Sequence, residues 1–137
     1  MIITCSACSS KNRVPPSRLD KSPRCGKCKA RLDHAPVEVR SAADFEALVA
    51  ESPLPVLVDF WAAWCGPCRM VAPEMEKIAK AHDNVVVAKV DTEALPQVAG
   101  RFGIQSIPTM LLFEGGREAT RISGAMPAAE IARRAGI

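Results

Sequence analysis

The run Val56-Leu57-Val58-Asp59-Phe60-Trp61-Ala62-Ala63-Trp64-Cys65-Gly66-Pro67-Cys68 leaves few folds open. An apolar segment of β type ends in two cysteines two residues apart. Beyond Cys68 the pattern turns helical, with Met70, Val71, Met75, Ile78 and Ala79 as its apolar face. A strand therefore delivers Cys65 to the start of a helix, where free N–H groups and the helix dipole favour a thiolate. Pro67 suits the first helical turn, where a missing N–H costs little. Cys68 sits three residues on and shares a helix face with Cys65. Their Cα atoms are expected about 5–6 Å apart, within disulfide range.

Four more cysteines precede this stretch, as Cys5-x-x-Cys8 and Cys25-x-x-Cys28. The spacing is that of a four-cysteine zinc site built from two knuckles. Gly26 is expected to let the second knuckle turn so that amide groups face a sulfur. Iron is the rival metal, since tetrahedral sulfur sites accept both; two disulfides or two redox dithiols are the non-metal alternatives. Pro15, Pro16 and Pro23 and few large apolar residues fill the intervening segment, so metal is expected to supply most of its folding energy.

Trp64-Cys65-Gly66-Pro67-Cys68 resembles the active-site motif of the thioredoxins, and the Asp-bearing strand before it fits that family. Residues 35–137 look like a whole thioredoxin domain. Residues 1–34 resemble the zinc-binding extension of the bacterial thioredoxin 2 type. The resemblance implies an α/β thioredoxin fold, a mixed central sheet with helices on both faces, preceded by a small zinc-ribbon-like domain. It implies a protein-disulfide reductase that receives electrons from thioredoxin reductase, an NADPH-dependent flavin enzyme, and acts on disulfide-containing proteins. It also implies that Ile107-Pro108 is a cis-proline loop beside the dithiol.

Composition agrees. With 137 residues, 48% of them hydrophobic, the chain suits one domain and a small appendage. No run approaches the roughly 20 apolar residues of a membrane span. The first residues lack a charged and apolar leader pattern, so a cytoplasmic location is expected. Six cysteines there point to metal and redox chemistry rather than a disulfide framework. Residues 1–32 hold eight Lys or Arg against one Asp, and the remainder ten against fourteen Asp or Glu. The basic excess offsets an anionic thiolate cluster. Nucleic-acid binding is not expected, because the segment has no aromatic residue on which a base could stack. A monomer is expected.

The rest of the chain orders as β-α-β-α-β-α-β-β-α. Lys29 to Pro36 reads as a linker and Val37-Glu38-Val39 as a short strand. Ser41 or Asp44 can cap a helix carrying Phe45, Leu48 and Val49. Pro73 should kink the helix after the dithiol. Val85 to Asp91 is a buried parallel strand, Leu95 to Phe102 a short helix, and Met110 to Phe113 a strand. Gly115-Gly116 signals a hairpin into Ala119 to Ser123, and Pro127 starts the last helix.

Within this frame Cys65 is the expected nucleophile, accessible between Trp64 and Gly66, and Cys68 the deeper, resolving thiol. Asp59 in an apolar strand should have a raised pKa and accept the proton of Cys68; a structural pairing with Lys89 is compatible with that. An extended backbone at Ile107 and Pro108 can pair with a substrate peptide, and Trp64, Gly66, Pro67, Gly124 and Ala125, with Gly103 and Ile104, complete the contact surface. His34 and His82 read as isolated and solvent-facing. A functional reading of another class is a zinc-binding redox sensor or holdase centred on Cys5, Cys8, Cys25 and Cys28.

Overall fold

The computed structural model describes all residues, Met1–Ile137. A two-stranded antiparallel ribbon, β1 (Ile2–Thr4) and β2 (Lys11–Arg13), is followed by a 3₁₀ turn over Pro16–Lys21. The main body then runs β3 (Val37–Glu38), α1 (Ala42–Glu51), β4 (Val56–Trp61), α2 (Gly66–Ala81) and β5 (Val86–Asp91). It ends with α3 (Pro96–Arg101), β6 (Thr109–Glu114), β7 (Arg117–Ser123) and α4 (Ala128–Ala135). The expected order holds throughout. The sheet order is β3-β5-β4-β6-β7, with the first three strands parallel and the hairpin antiparallel.

Local chemistry explains the boundaries. Ser41 caps α1, its hydroxyl accepting from the Asp44 N–H at 3.0 Å. β7 starts at Arg117, two residues before the expected position, because the turn is closed by Gly115 and Gly116, both at positive φ. Helix α2 continues through Pro73, which is exposed. Five of the six residues of the central strand β4 are buried, and one cluster packs Leu57 with Val71, Met75, Ile78 and Ile131. Met70 departs from the expected apolar face of α2: it is 70% exposed. Cys68, Val71, Met75 and Ile78 already fill the inward stripe, and Met70, about 100° round the helix from Val71, lies off it.

The N-terminal segment is not an appendage on a loose linker. Ile3, Val14, Leu19 and Leu32 are buried in the same apolar cluster as Val37, Val39, Phe45 and Leu48 of the main body. Leu32 lies inside the expected linker and is 3% exposed. Arg31 and His34 reach Asp83, each at 3.4 Å, and Arg40 donates to the Thr4 hydroxyl at 2.9 Å. Docking on the α1 and β3 side therefore adds to whatever a metal contributes.

Candidate active site and four-cysteine centre

Helix α2 begins at Gly66, and Cys65 is its N-cap. The Cys68 N–H donates to the Cys65 Sγ at 3.2 Å, the contact that a thiolate at this place needs. The two cysteines form a disulfide with Cα atoms 5.3 Å apart, within the expected range. They are buried alike, Cys65 at 4% and Cys68 at 3% exposure, so Cys65 is less open than the sequence suggests. Ala62, Trp61 and Ile107 close around the pair. Residue burial does not separate the two cysteines; their surroundings do. Cys65 Sγ lies 3.7 Å from the Ile107 carbonyl oxygen, on the outer side. Cys68 lines a cavity of about 110 Å³ shared with Asp59, Trp61, Arg69 and Lys89.

Asp59 is 3% exposed, and its Oδ1 has no hydrogen-bond partner. Burial drives its pKa up, to about 7, against the pull of the Lys89 cation, while Glu38 adds a smaller upward push. Lys89 stands opposite Asp59 in the β4–β5 register but makes no salt bridge with it. Its ammonium lies 3.9 Å from Glu38 and 4.6 Å from the centre of the Trp61 ring. The expected Asp59–Lys89 pair is thus a longer-range interaction, and Glu38, brought in when β3 joins β5, is a member of the group that the sequence did not reveal.

This environment has a consequence for stability. Between about pH 4 and pH 7 the unfolded chain ionises Asp59 while the folded chain keeps it protonated, so stability falls as pH rises through that window. The full cost is at most about 4 kcal/mol above pH 7. Asp59→Asn avoids it. In the oxidised protein, the gain in urea midpoint over the parent should be larger at pH 8 than at pH 5.5; an equal gain at both would show that ionisation of Asp59 is not what destabilises the core.

Pro108 is buried and follows a cis Ile107–Pro108 bond. The carbonyl of Pro108 accepts from the Gly124 N–H at 2.9 Å, tying this loop to the end of β7. Neither main-chain group of Ile107 has a backbone partner in the chain. Trp64 is 67% exposed and its Nε1 donates to Glu93 at 2.8 Å, another contact not visible in sequence. Gly66, Pro67 and Ala125 are exposed, and Gly124 is half-buried at positive φ. Met70 borders a shallow groove with Ala125 and Met126 beside them. Ile104 instead turns inward with Phe102 against the main core, and Gly103 is exposed.

The four remaining cysteines converge. Their sulfurs lie within 4.8 Å of one another, with Cys5–Cys28 and Cys8–Cys25 separations of 3.6 Å. A tetrahedral zinc with Zn–S bonds of about 2.3 Å has sulfurs about 3.8 Å apart, so the set fits the ion. The two knuckles repeat one pattern. The Ser9 N–H donates to the Cys5 carbonyl at 2.9 Å and the Lys29 N–H to that of Cys25 at 3.0 Å. Ser9 and Lys29, at φ 65° and 67°, take the left-handed conformation that closes each knuckle. As expected of the turn at Gly26, the Lys27 N–H points at the Cys25 sulfur at 3.4 Å, while the Gly26 N–H itself donates to Asn12 at 2.9 Å. His34 and His82 are no part of this centre; His34 is not isolated, since it faces Asp83.

The family model described as thioredoxin matches residues 36–135, and a zinc-ribbon family described as thioredoxin 2, N-terminal, matches residues 4–30. Thioredoxin C-3 of Corynebacterium nephridii is 46% identical over 132 residues, covering 96% of this chain and 90% of that protein. The bifunctional thioredoxin reductase/thioredoxin of Mycobacterium leprae is 51% identical over 98 residues, which are 71% of this chain and 21% of that one. Among solved structures, a mutant thioredoxin from Halobacterium salinarum superposes with a TM-score of 0.68 at 29% identity, over 74% of this chain and 88% of the other.

Proposed function

The chain belongs to the thioredoxin family, and on that premise we propose that its dithiol reduces protein disulfides in a fixed order, Cys65 attacking and Cys68 resolving. The protein is a thiol-disulfide oxidoreductase, with Cys65 and Cys68 in the active-site position. In the proposed order the Cys65 thiolate attacks one sulfur of the substrate disulfide, forming a mixed disulfide and releasing the other sulfur as a thiolate. Asp59 takes the proton of Cys68, and the Cys68 thiolate attacks Cys65 Sγ. The Cys65–substrate bond breaks, the Cys65–Cys68 disulfide forms, and the substrate leaves as a dithiol. The observation that carries this assignment is the division of surroundings: an amide donor and the outer loop at Cys65, a cavity shared with Asp59 at Cys68. Lys89 tempers the rise in the Asp59 pKa and keeps it in a useful range.

Substrate backbone pairs with the main-chain groups of Ile107, which have no backbone partner within the chain, while Pro108 fixes that loop. Trp64, Gly66, Pro67, Gly124 and Ala125 form the surrounding contact surface, and Met70 extends it. Cys5, Cys8, Cys25 and Cys28 of residues 1–34 hold one zinc ion, which when bound would act as a structural cross-link in that segment. Electrons come from an NADPH-dependent flavin reductase of the thioredoxin reductase class, a partner fused to the matching segment in the Mycobacterium leprae relative. No helix is long and apolar enough to cross a membrane, and the reading places the protein in the cytoplasm as a monomer. The alternative of a zinc-centred sensor or holdase is not favoured, since the dithiol and its surroundings lie in the thioredoxin segment.

The test couples NADPH oxidation by a thioredoxin reductase to insulin reduction by the full-length, metal-loaded protein. Catalytic amounts should accelerate NADPH consumption, and Cys65→Ser should abolish the acceleration while metal content is unchanged. Consumption no faster than with the reductase alone would overturn the proposed reducing direction.

A further inference from the structure

Asp59 lines two crevices. One is the cavity beside Cys68. The other, about 190 Å³, shares Asp59, Ala72 and Lys89 with the first and opens between α2 and the N-terminal segment. Its outer wall is Ser6, which lies between Cys5 and Cys8, with Ala35 and Pro36 of the connector and Glu76 of α2. Ser6, Ala35 and Glu76 also line a further cleft, bordered by His34 and Lys80. At roughly 30 Å³ per molecule the second crevice has room for several waters, and Ser6, Asp59, Glu76 and Lys89 offer them hydrogen-bond partners along a lining otherwise made of Ala35, Pro36, Ala72 and Met75.

We propose that Ser6, Ala35 and Pro36 wall the solvent path through which Asp59 exchanges its proton, making the N-terminal segment a positioning element for chemistry at Cys68. The inference rests on the reading of Asp59 as proton acceptor. Each turnover moves one proton from Cys68 to the Asp59 carboxylate, and re-forming the Cys68 thiol when the disulfide is reduced takes one proton back; a carboxyl in reach of water can exchange with solvent between the two steps. A protein substrate seated over Trp64, Ile107 and Ala125 covers the outer side of the dithiol. The crevice walled by Ser6 and Ala35 reaches Asp59 without Trp64, Ile107 or Ala125 in its lining, so such a substrate leaves it open. Substrate entry and proton exit are then separate routes. The charged and titratable groups around Asp59 are Lys89 of β5, Glu38 of β3, and Cys68, Arg69 and Glu76 of α2, with His34 and Lys80 on the adjoining cleft; the N-terminal segment lines the crevice itself with the uncharged Ser6, Ala35 and Pro36.

The experiment follows the Asp59 carboxyl by carbon-13 NMR in full-length, zinc-loaded protein, the signal being assigned by its loss in Asp59→Asn. Ala35→Asp should raise the titration midpoint and Ala35→Lys lower it, each by about half a pH unit. Glu114→Lys, a distant charge change, should leave it unmoved. Glu76→Gln, which leaves the N-terminal segment intact, should lower it and serves if an Ala35 variant loses zinc or fold. Midpoints unmoved in Glu76→Gln and in the folded Ala35 variants would overturn the proposal. If these midpoints move as expected but Asp59→Asn retains full turnover from pH 6 to 9, the N-terminal segment stands as a wall beside Asp59 and the role of Asp59 as proton acceptor falls.

Discussion

Cys68→Ser should capture protein substrates as stable mixed disulfides on Cys65, and its steady-state turnover should fall to background. The attacking sulfur keeps its N-cap position and the amide of residue 68, so the first displacement proceeds. The second displacement needs a thiolate at position 68, and a serine hydroxyl cannot supply one. Cys65→Ser should trap nothing and be equally inactive. Because the two cysteines are about equally buried as residues, residue exposure does not choose which attacks first. What favours Cys65 is its place on the outer side beside Ile107, with Cys68 turned to the cavity of Asp59. Non-reducing electrophoresis followed by mass spectrometry of the cross-linked peptides checks the assignment. Substrate bound through Cys68 in the Cys65→Ser variant, and none through Cys65 in Cys68→Ser, would reverse it.

The parts of this site legible in sequence are those set by neighbours along the chain. A β-type run, two cysteines and a helical repeat place the dithiol at a strand-to-helix junction, because period and capping act locally. Asp59 stands out because a lone carboxylate in an apolar strand has no other explanation than burial. The spacing of the four other cysteines points to a shared centre and leaves disulfides open; their convergence is what the fold adds. What sequence did not show depends on contacts between distant segments. The burial of Cys65 comes from the Ile107 loop. Glu38 joins Lys89 only because β3 pairs with β5. Met70 fits an apolar helical repeat, yet the stripe beneath it is already filled. The left-handed residues of the knuckles are Ser9 and Lys29, which a search for glycine passes over. Leu19 and Leu32 look like stray apolar residues in a polar segment until the core that receives them is assembled.

That shared core sets the second large effect. Removing metal with a chelator under reducing conditions, or replacing Cys25 with Ser, should lower the melting temperature of the whole protein and not of the N-terminal segment alone. Cys25 is fully buried and Cys5 nearly so, and both belong to the cluster that includes Val37, Phe45 and Leu48. Four thiolates without a cation repel one another, and the short ribbon of β1 and β2 cannot order its connections unaided. Once it loosens, Ile3, Val14, Leu19 and Leu32 leave the surface of α1 and β3 and expose the residues beneath. Each such side chain contributes about 1.5–3 kcal/mol when fully buried, an amount partly offset by the entropy of ordering the segment. A net loss of roughly 3 kcal/mol corresponds to a fall of about 10 °C for a chain of this size. Leu32→Ala, which leaves every sulfur in place, should cost about 2–4 kcal/mol in the same single transition. Calorimetry of zinc-loaded, chelated and zinc-restored protein, with Leu32→Ala alongside, separates the possibilities. The expected pattern is one transition that moves down and returns with zinc. If metal removal abolishes a small early transition and leaves the main one in place, and Leu32→Ala does the same, the segment is an independent module that only rests on the dithiol domain.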